Sequence, residues 1–240
     1  DVYLPIRLVG TQFHAAVEGI GAWNQAQPIL EQQSTRSNTL TMPIDAVELD
    51  GVVVGYEREL HAPITETLLP GTLTAITGRS GVGKSTLLRA IAGLRQPLRG
   101  EVSVHGSDVR TINESEWFAQ VGYVPQDPWL GHGSIRAALT RGVSASDDAC
   151  LRALASVGLQ ELSLDTLIDD LGSGVSIGQR RRIALARYRL RSCSVLLLDE
   201  AAILQLLDSW RTEGAIIVAV AHRAALVQAA QKVIHLDGDK

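Results

Sequence analysis

Residues 78 to 86 read Gly-Arg-Ser-Gly-Val-Gly-Lys-Ser-Thr. No other stretch restricts the possible folds so tightly. The run before it, Thr72–Thr77 (TLTAIT), has the composition of a strand, and Lys84–Leu94 carries a helical pattern. A strand joined to a helix through G-x-x-x-x-G-K-[ST] is a phosphate-binding loop. Gly78, Gly81 and Gly83 let the backbone curl, so that N–H groups from Ser80 to Thr86 point inward at β- and γ-phosphate oxygens. The helix N-terminus adds partial positive charge. Lys84 supplies a point charge and Ser85 a hydroxyl for Mg²⁺. Lysine is scarce, three against nineteen arginines, so a chance match is rare. These residues imply a chain that binds a nucleoside triphosphate.

Such a site needs an acidic group at the end of a neighbouring buried strand. Ser194–Leu198 (SVLLL) is apolar throughout and runs into Asp199-Glu200. Asp199 is expected to hold Mg²⁺ through its water shell, and Glu200 to polarise the attacking water.

Around these motifs, strand-like runs alternate with helical ones. Glu101–Val104, Val121–Val124 and Ala215–Val220 read as strands; Asp147–Val157, Gly178–Arg191 and Ala224–Gln231 read as helices. The alternation predicts an α/β domain around a mostly parallel sheet. The stretch from about 134 to 192 has helical pattern and no convincing strand, which marks a helical insertion. A net charge of −4 gives no global basic field, so a nucleic-acid partner is not expected. Cys150 and Cys193 make no disulfide framework and suit a reducing compartment. No apolar run approaches the 18 or so residues of a membrane span. A start at Asp1 rather than Met points to a fragment or a processed product.

Leu171–Arg187 reads LGSGVSIGQRRRIALAR, which resembles the signature segment of ABC ATPases, usually LSGGQ followed by a basic helix. Ser176 with Gln179 three residues on is a capping-box pattern at the start of that helix. The resemblance implies that Ser176, Gly178 and Gln179 meet a γ-phosphate presented by a second subunit. Ile177 stands where the family has glycine and narrows that approach. Val121–Asp127 (VGYVPQD) resembles the Q-loop, in which Gln126 senses Mg²⁺ and the γ-phosphate. His222, after the last apolar strand, matches the switch histidine. Tyr56 matches the aromatic that stacks on adenine, and Asp170 an acidic coupling residue of exporters. The family's fold is a P-loop NTPase (RecA-like) core with a mostly parallel sheet, an antiparallel β subdomain and an α-helical subdomain.

The opening segment fits the same resemblance. Ile6, Val9, Phe13, Ala16, Ile20 and Trp23 form one apolar stripe of helical spacing. Residues 1–30 are similar to the cytoplasmic end of the last transmembrane-domain helix in D-type half-transporters of the cytochrome bd assembly exporter family. Residues 31–45 are expected as a linker and 46–240 as the ATPase domain. The resemblance implies ATP and Mg²⁺ as ligands, the chain's own transmembrane domain and a second half-transporter in a heterodimer as partners, and the cytoplasmic face of a bacterial inner membrane. Cargo implied is a small thiol, cysteine or glutathione, or haem. One departure is large. After Asp199-Glu200 the family has a D-loop, typically Pro-Thr followed closely by Leu-Asp, whereas here Ala201-Ala202-Ile203 leads straight into the next helix. The site is degenerate or a short segment is omitted, and the helical register favours omission. A regulatory module that binds ATP without hydrolysing it is the alternative function.

Overall fold

A computed structural model describes residues 17, 19–27, 36–169, 174–200, 204–221 and 223–238. Contacts divide the chain into Asp1–Thr35 and Arg36–Lys240. In the first unit, residues 19–27 form helix α1, on which Ile20 and Trp23 are exposed. The rest of the predicted stripe, Ile6 to Ala16, lies outside the described residues. Among the described residues, no helix is long and apolar enough to cross a membrane.

The second unit runs β1 (Val47–Val53), β2 (Ile64–Leu68), β3 (Leu73–Gly78), α2 (Lys84–Ile91), β4 (Arg99–Val104) and β5 (Ser107–Asp108). It continues through α3 (Glu114–Gln120), β6 (Val121–Val124), β7 (Gly133–Ser134), α4 (Ile135–Thr140), α5 (Asp147–Ser156) and β8 (Leu167–Ile168). It closes with α6 (Ile177–Arg191), β9 (Val195–Leu198), α7 (Leu204–Thr212), β10 (Ile216–Val220), α8 (Ala224–Ala229) and β11 (Lys232–Leu236). A five-stranded parallel sheet has the order β11-β3-β10-β9-β6, and an antiparallel sheet the order β2-β1-β4-β5.

Unbroken apolar sequence in β9 and β10 follows from burial on both faces. Val195 and Leu197 of β9, with Ile216, Val218 and Val220 of β10, join α2, α3 and the antiparallel sheet in one core. Leu196, Leu198, Ile217 and Ala219 point the other way, into a second core shared with α4, α5 and α6. Period-2 geometry thus makes one strand serve two cores. In the first core, Trp117 of α3 is fully buried and its indole N–H donates to the Ala92 carbonyl at 2.8 Å.

Two features differ from expectation. The predicted helical insertion contains a short antiparallel ladder, β7 with β8, that lies at the entry to α4. Two-residue strands carry too little pattern to be read from sequence. Within the stretch expected as a linker, residues from 36 onward are tied to this unit. Leu40 N–H donates to Glu116 Oε2 at 2.6 Å, Ile44 N–H donates to Gln120 Oε1 at 3.1 Å, and both apolar side chains are buried.

Candidate functional site

The site starts at the end of β3. Gly78 has φ 137°, and a Cβ there would come within 2.5 Å of the Leu236 carbonyl oxygen on β11. Pairing of β3 with β11 therefore requires glycine at the exit of the strand. Gly83, at φ 100°, is the N-cap of α2 and brings no side chain to its first turn, which also lacks acidic residues. The first N–H groups of α2 and its positive end are left for an anion.

Tyr56, Ser80, Gly81, Gly83, Lys84, Ser85, Thr86, Gln126 and Asp199 line one cavity of about 440 Å³. The sequence placed all nine at the nucleotide, and the fold brings them together from four separate segments. Gly78 does not line the cavity. Its carbonyl and that of Arg79 accept hydrogen bonds from Lys84 Nζ at 2.9 and 2.8 Å. Lys84 is buried, and among the described residues these partners are carbonyl oxygens, not a carboxylate. Carbonyl oxygens orient the ammonium without the competing carboxylate that an incoming phosphate would have to displace.

Opposite Lys84, the Ser85 hydroxyl donates to Asp199 Oδ1 at 2.6 Å, joining α2 to the end of β9. Asp199 is buried. Two oxygen ligands on separate elements, converging beside the phosphate loop, are a donor pair suited to a hard divalent cation. Tyr123 Oη donates to Asp199 Oδ2 at 3.4 Å and accepts from Arg89 Nε at 3.4 Å. Burial pushes the Tyr123 phenol up, against the opposing Arg89 hydrogen bond, so it stays a donor at neutral pH.

At the cavity mouth the Tyr56 ring is 64% exposed. The Arg95 guanidinium lies 3.9 Å over the ring and donates through Nη2 to the Gly55 carbonyl at 3.0 Å. A flat ring held by a cation is a platform for stacking a base.

The predicted capping box is present. Ser176 Oγ accepts from the Gln179 N–H at 3.1 Å, and Gln179 Oε1 accepts from the Ser176 N–H at 2.8 Å. Ser176, Gly178 and Gln179 lie at the α6 N-terminus and do not line the cavity. Exposed Ile177 stands beside them. Glu200 does not line the cavity either; its Oε2 pairs with Arg181 Nη2 at 2.9 Å. His222, Asp170 and Ala201-Ala202-Ile203 lie outside the described residues.

Sequence reasoning missed Tyr123, Arg89, Arg95, Arg180 and Arg181. Only a tertiary fold shows which of nineteen arginines approach the site. Arg180 pairs with Asp127 at 3.2 Å, and Arg181 Nε donates to the Gln126 carbonyl at 2.8 Å.

The family profile described as ABC transporter matches residues 62–203. The chain is 36% identical over 217 residues to the mycobactin import ATP-binding/permease protein IrtB of Mycobacterium tuberculosis, covering 81% of this chain and 37% of that protein. It is 33% identical over 212 residues to the glutathione/L-cysteine transport system ATP-binding/permease protein CydD of Haemophilus influenzae, covering 83% of this chain and 36% of that protein. The chain thus spans little more than a third of the length of these relatives. In fold it is similar to a bacterial Atm1-family ABC exporter with ATP bound, with a TM-score of 0.79 at 24% identity over 96% of this chain and 45% of that one. The profile match over more than half of the chain, together with these relatives, shows that the chain belongs to the ABC transporter family, of which it is an ATP-binding domain.

Proposed function

We propose that this domain is the ATP-hydrolysing motor of a bacterial half-transporter that works in a heterodimer at the cytoplasmic face of the inner membrane. The observation that carries the reading is the Ser85–Asp199 hydrogen bond beside a buried, carboxylate-free Lys84. An oxygen pair suited to a divalent cation, beside an ammonium suited to phosphate, supports this reading.

In this reading Gly78, Ser80, Gly81, Gly83, Lys84 and Thr86 bind the phosphates, and Tyr56 stacks on adenine. Ser85, Asp199 and Gln126 hold Mg²⁺, which when bound draws charge from the β- and γ-phosphates. Glu200 polarises the attacking water, and His222 and Gln126 complete the catalytic group. Ser176, Gly178 and Gln179 act on the γ-phosphate of the partner's nucleotide, so hydrolysis needs two domains face to face. Closure on ATP and opening after hydrolysis then drive the membrane halves as a ligand-biased two-state switch.

For cargo, the likeness to CydD and to the opening segment of D-type half-transporters supports a small thiol, with haem as the second candidate. The similarity to the mycobactin import protein IrtB supports mycobactin instead. Ile177 in the signature and the short path from Glu200 to α7 favour the alternative of a nucleotide site that binds without turnover.

ATP hydrolysis measured across a range of protein concentrations, beside Glu200→Gln, decides between them. A rate that rises faster than linearly and is lost in the variant supports the motor. Bound ATP without turnover at any concentration leaves the regulatory reading.

A further inference from the structure

Three consecutive arginines on α6 fan out by about 100° each, so each reaches a different partner. Arg182 Nη1 donates to the Gly158 carbonyl at 2.9 Å, within the helical insertion. Arg180 pairs with the Asp127 carboxylate at 3.2 Å. Arg181, between them, makes two contacts: Nε to the Gln126 carbonyl at 2.8 Å and Nη2 to Glu200 Oε2 at 2.9 Å. Through this one side chain α6 touches both the Q-loop and the glutamate that follows Asp199.

The two adjacent carboxylates have opposite settings. Asp199 faces the cavity and binds the Ser85 hydroxyl, while Glu200 is absent from the cavity lining and turned to α6. Both partners of the Arg181–Glu200 pair are mostly shielded, with side-chain exposures of 20% and 30%. A carboxylate so engaged spends its lone pairs on a guanidinium and has fewer left to orient a water.

We propose that Arg181 is a positioning residue that holds Glu200 off the phosphate cradle until α6 moves. The proposal rests on the reading of Glu200 as the group that polarises water. Because Ser176 caps the same helix only five residues earlier, one rigid element carries both the signature and the latch. A shift of α6 on engaging the partner's nucleotide withdraws Arg181 and frees Glu200 at this chain's own nucleotide. The two sites are then coupled through α6.

The test compares the 240-residue chain with Arg181→Gln, Arg181→Lys, Glu200→Gln and the Arg181→Gln/Glu200→Gln double variant. Glutamine keeps a donor for the Gln126 carbonyl and removes the charge. Arg181→Gln is expected to raise kcat about threefold to tenfold with KM for ATP changed less than about twofold, as loss of one restraining ion pair predicts. Arg181→Lys, which keeps charge with a single point contact, falls between. An unchanged or lowered kcat in Arg181→Gln overturns the proposal.

A second readout needs no turnover. In thermal unfolding without nucleotide, the two single substitutions are expected to be non-additive by about 1–3 °C. With Mg²⁺ and a non-hydrolysable ATP analogue, at protein concentrations that allow pairing, they should become additive. Additivity without nucleotide, or coupling that persists with it, removes the latch. Analogue binding with no turnover in any variant removes the hydrolysis reading, and the unfolding cycle still decides the latch.

Discussion

Three side chains from two elements set the chemistry of the cavity: Lys84 and Ser85 at the start of α2, and Asp199 at the end of β9. Lys84, Ser85 and Asp199 were legible because their chemistry admits few substitutes and their spacing is fixed by the strand-loop-helix geometry. Arg181 was not, because an arginine's role depends on what folds up against it, 55 residues back in the chain at Gln126. Cys193 shows the same limit. Sequence said only that it forms no disulfide framework, whereas its place after α6 is half-buried. Burial pushes its thiol up to about 11. At pH 8 almost none of it is thiolate, so alkylation by iodoacetamide is expected to run roughly two orders of magnitude slower than for free cysteine. Mass spectrometry of the labelled native chain checks this; labelling of Cys193 at the free rate contradicts the burial.

Secondary-structure elements were readable in proportion to their length and pattern. The apolar runs at Val121–Val124 and in β9 and β10 came out within a residue, since strands buried on both faces have no polar positions to blur them. The two-residue pair β7 and β8 left no trace in the pattern. Helix α6 is a different case. Its six arginines give a weak apolar stripe, and the helical pattern over Gly178–Arg191 gains a defined start from the Ser176–Gln179 capping box. That box is worth about 1 kcal/mol in stability, so Ser176→Ala should lower the thermal midpoint by about 2–4 °C. Ser176→Asp, which can still accept from the Gln179 N–H, should recover most of it. Thermal unfolding of the two variants in the absence of nucleotide separates this structural role from any effect on ATP.

For the molecule taken entire, electrostatics are distributed over surface networks. Asp108 is partly buried, which raises its carboxyl, but the paired Arg110 guanidinium outweighs this and holds it below the ordinary 3.8. The Arg136 guanidinium holds exposed Asp147 below the same value by hydrogen bonding and charge. A carboxyl depressed in the folded state stabilises the fold above its unfolded pKa and loses that contribution as pH falls through the folded one. Stability is therefore expected to be level above about pH 5 and to decline below about pH 4. Asp108→Asn should be less stable at pH 7 and show a shallower acid decline in thermal unfolding. The whole architecture was legible only in outline: strand–helix alternation gave a parallel sheet, but strand order depends on long-range pairing that no local pattern encodes.

That strand order has a consequence for how the protein comes into being. The neighbours of β3, the strand that delivers the phosphate loop, are β10 and β11, which pair with it through residues 217–220 and 232–236. As the chain emerges from the ribosome, β3 stays unpaired on both edges until more than 130 residues beyond it have been made. Contacts so distant in sequence close slowly. The nucleotide cradle is therefore completed only after β10 and β11 have been made, and ATP can report only on a domain that already holds both strands.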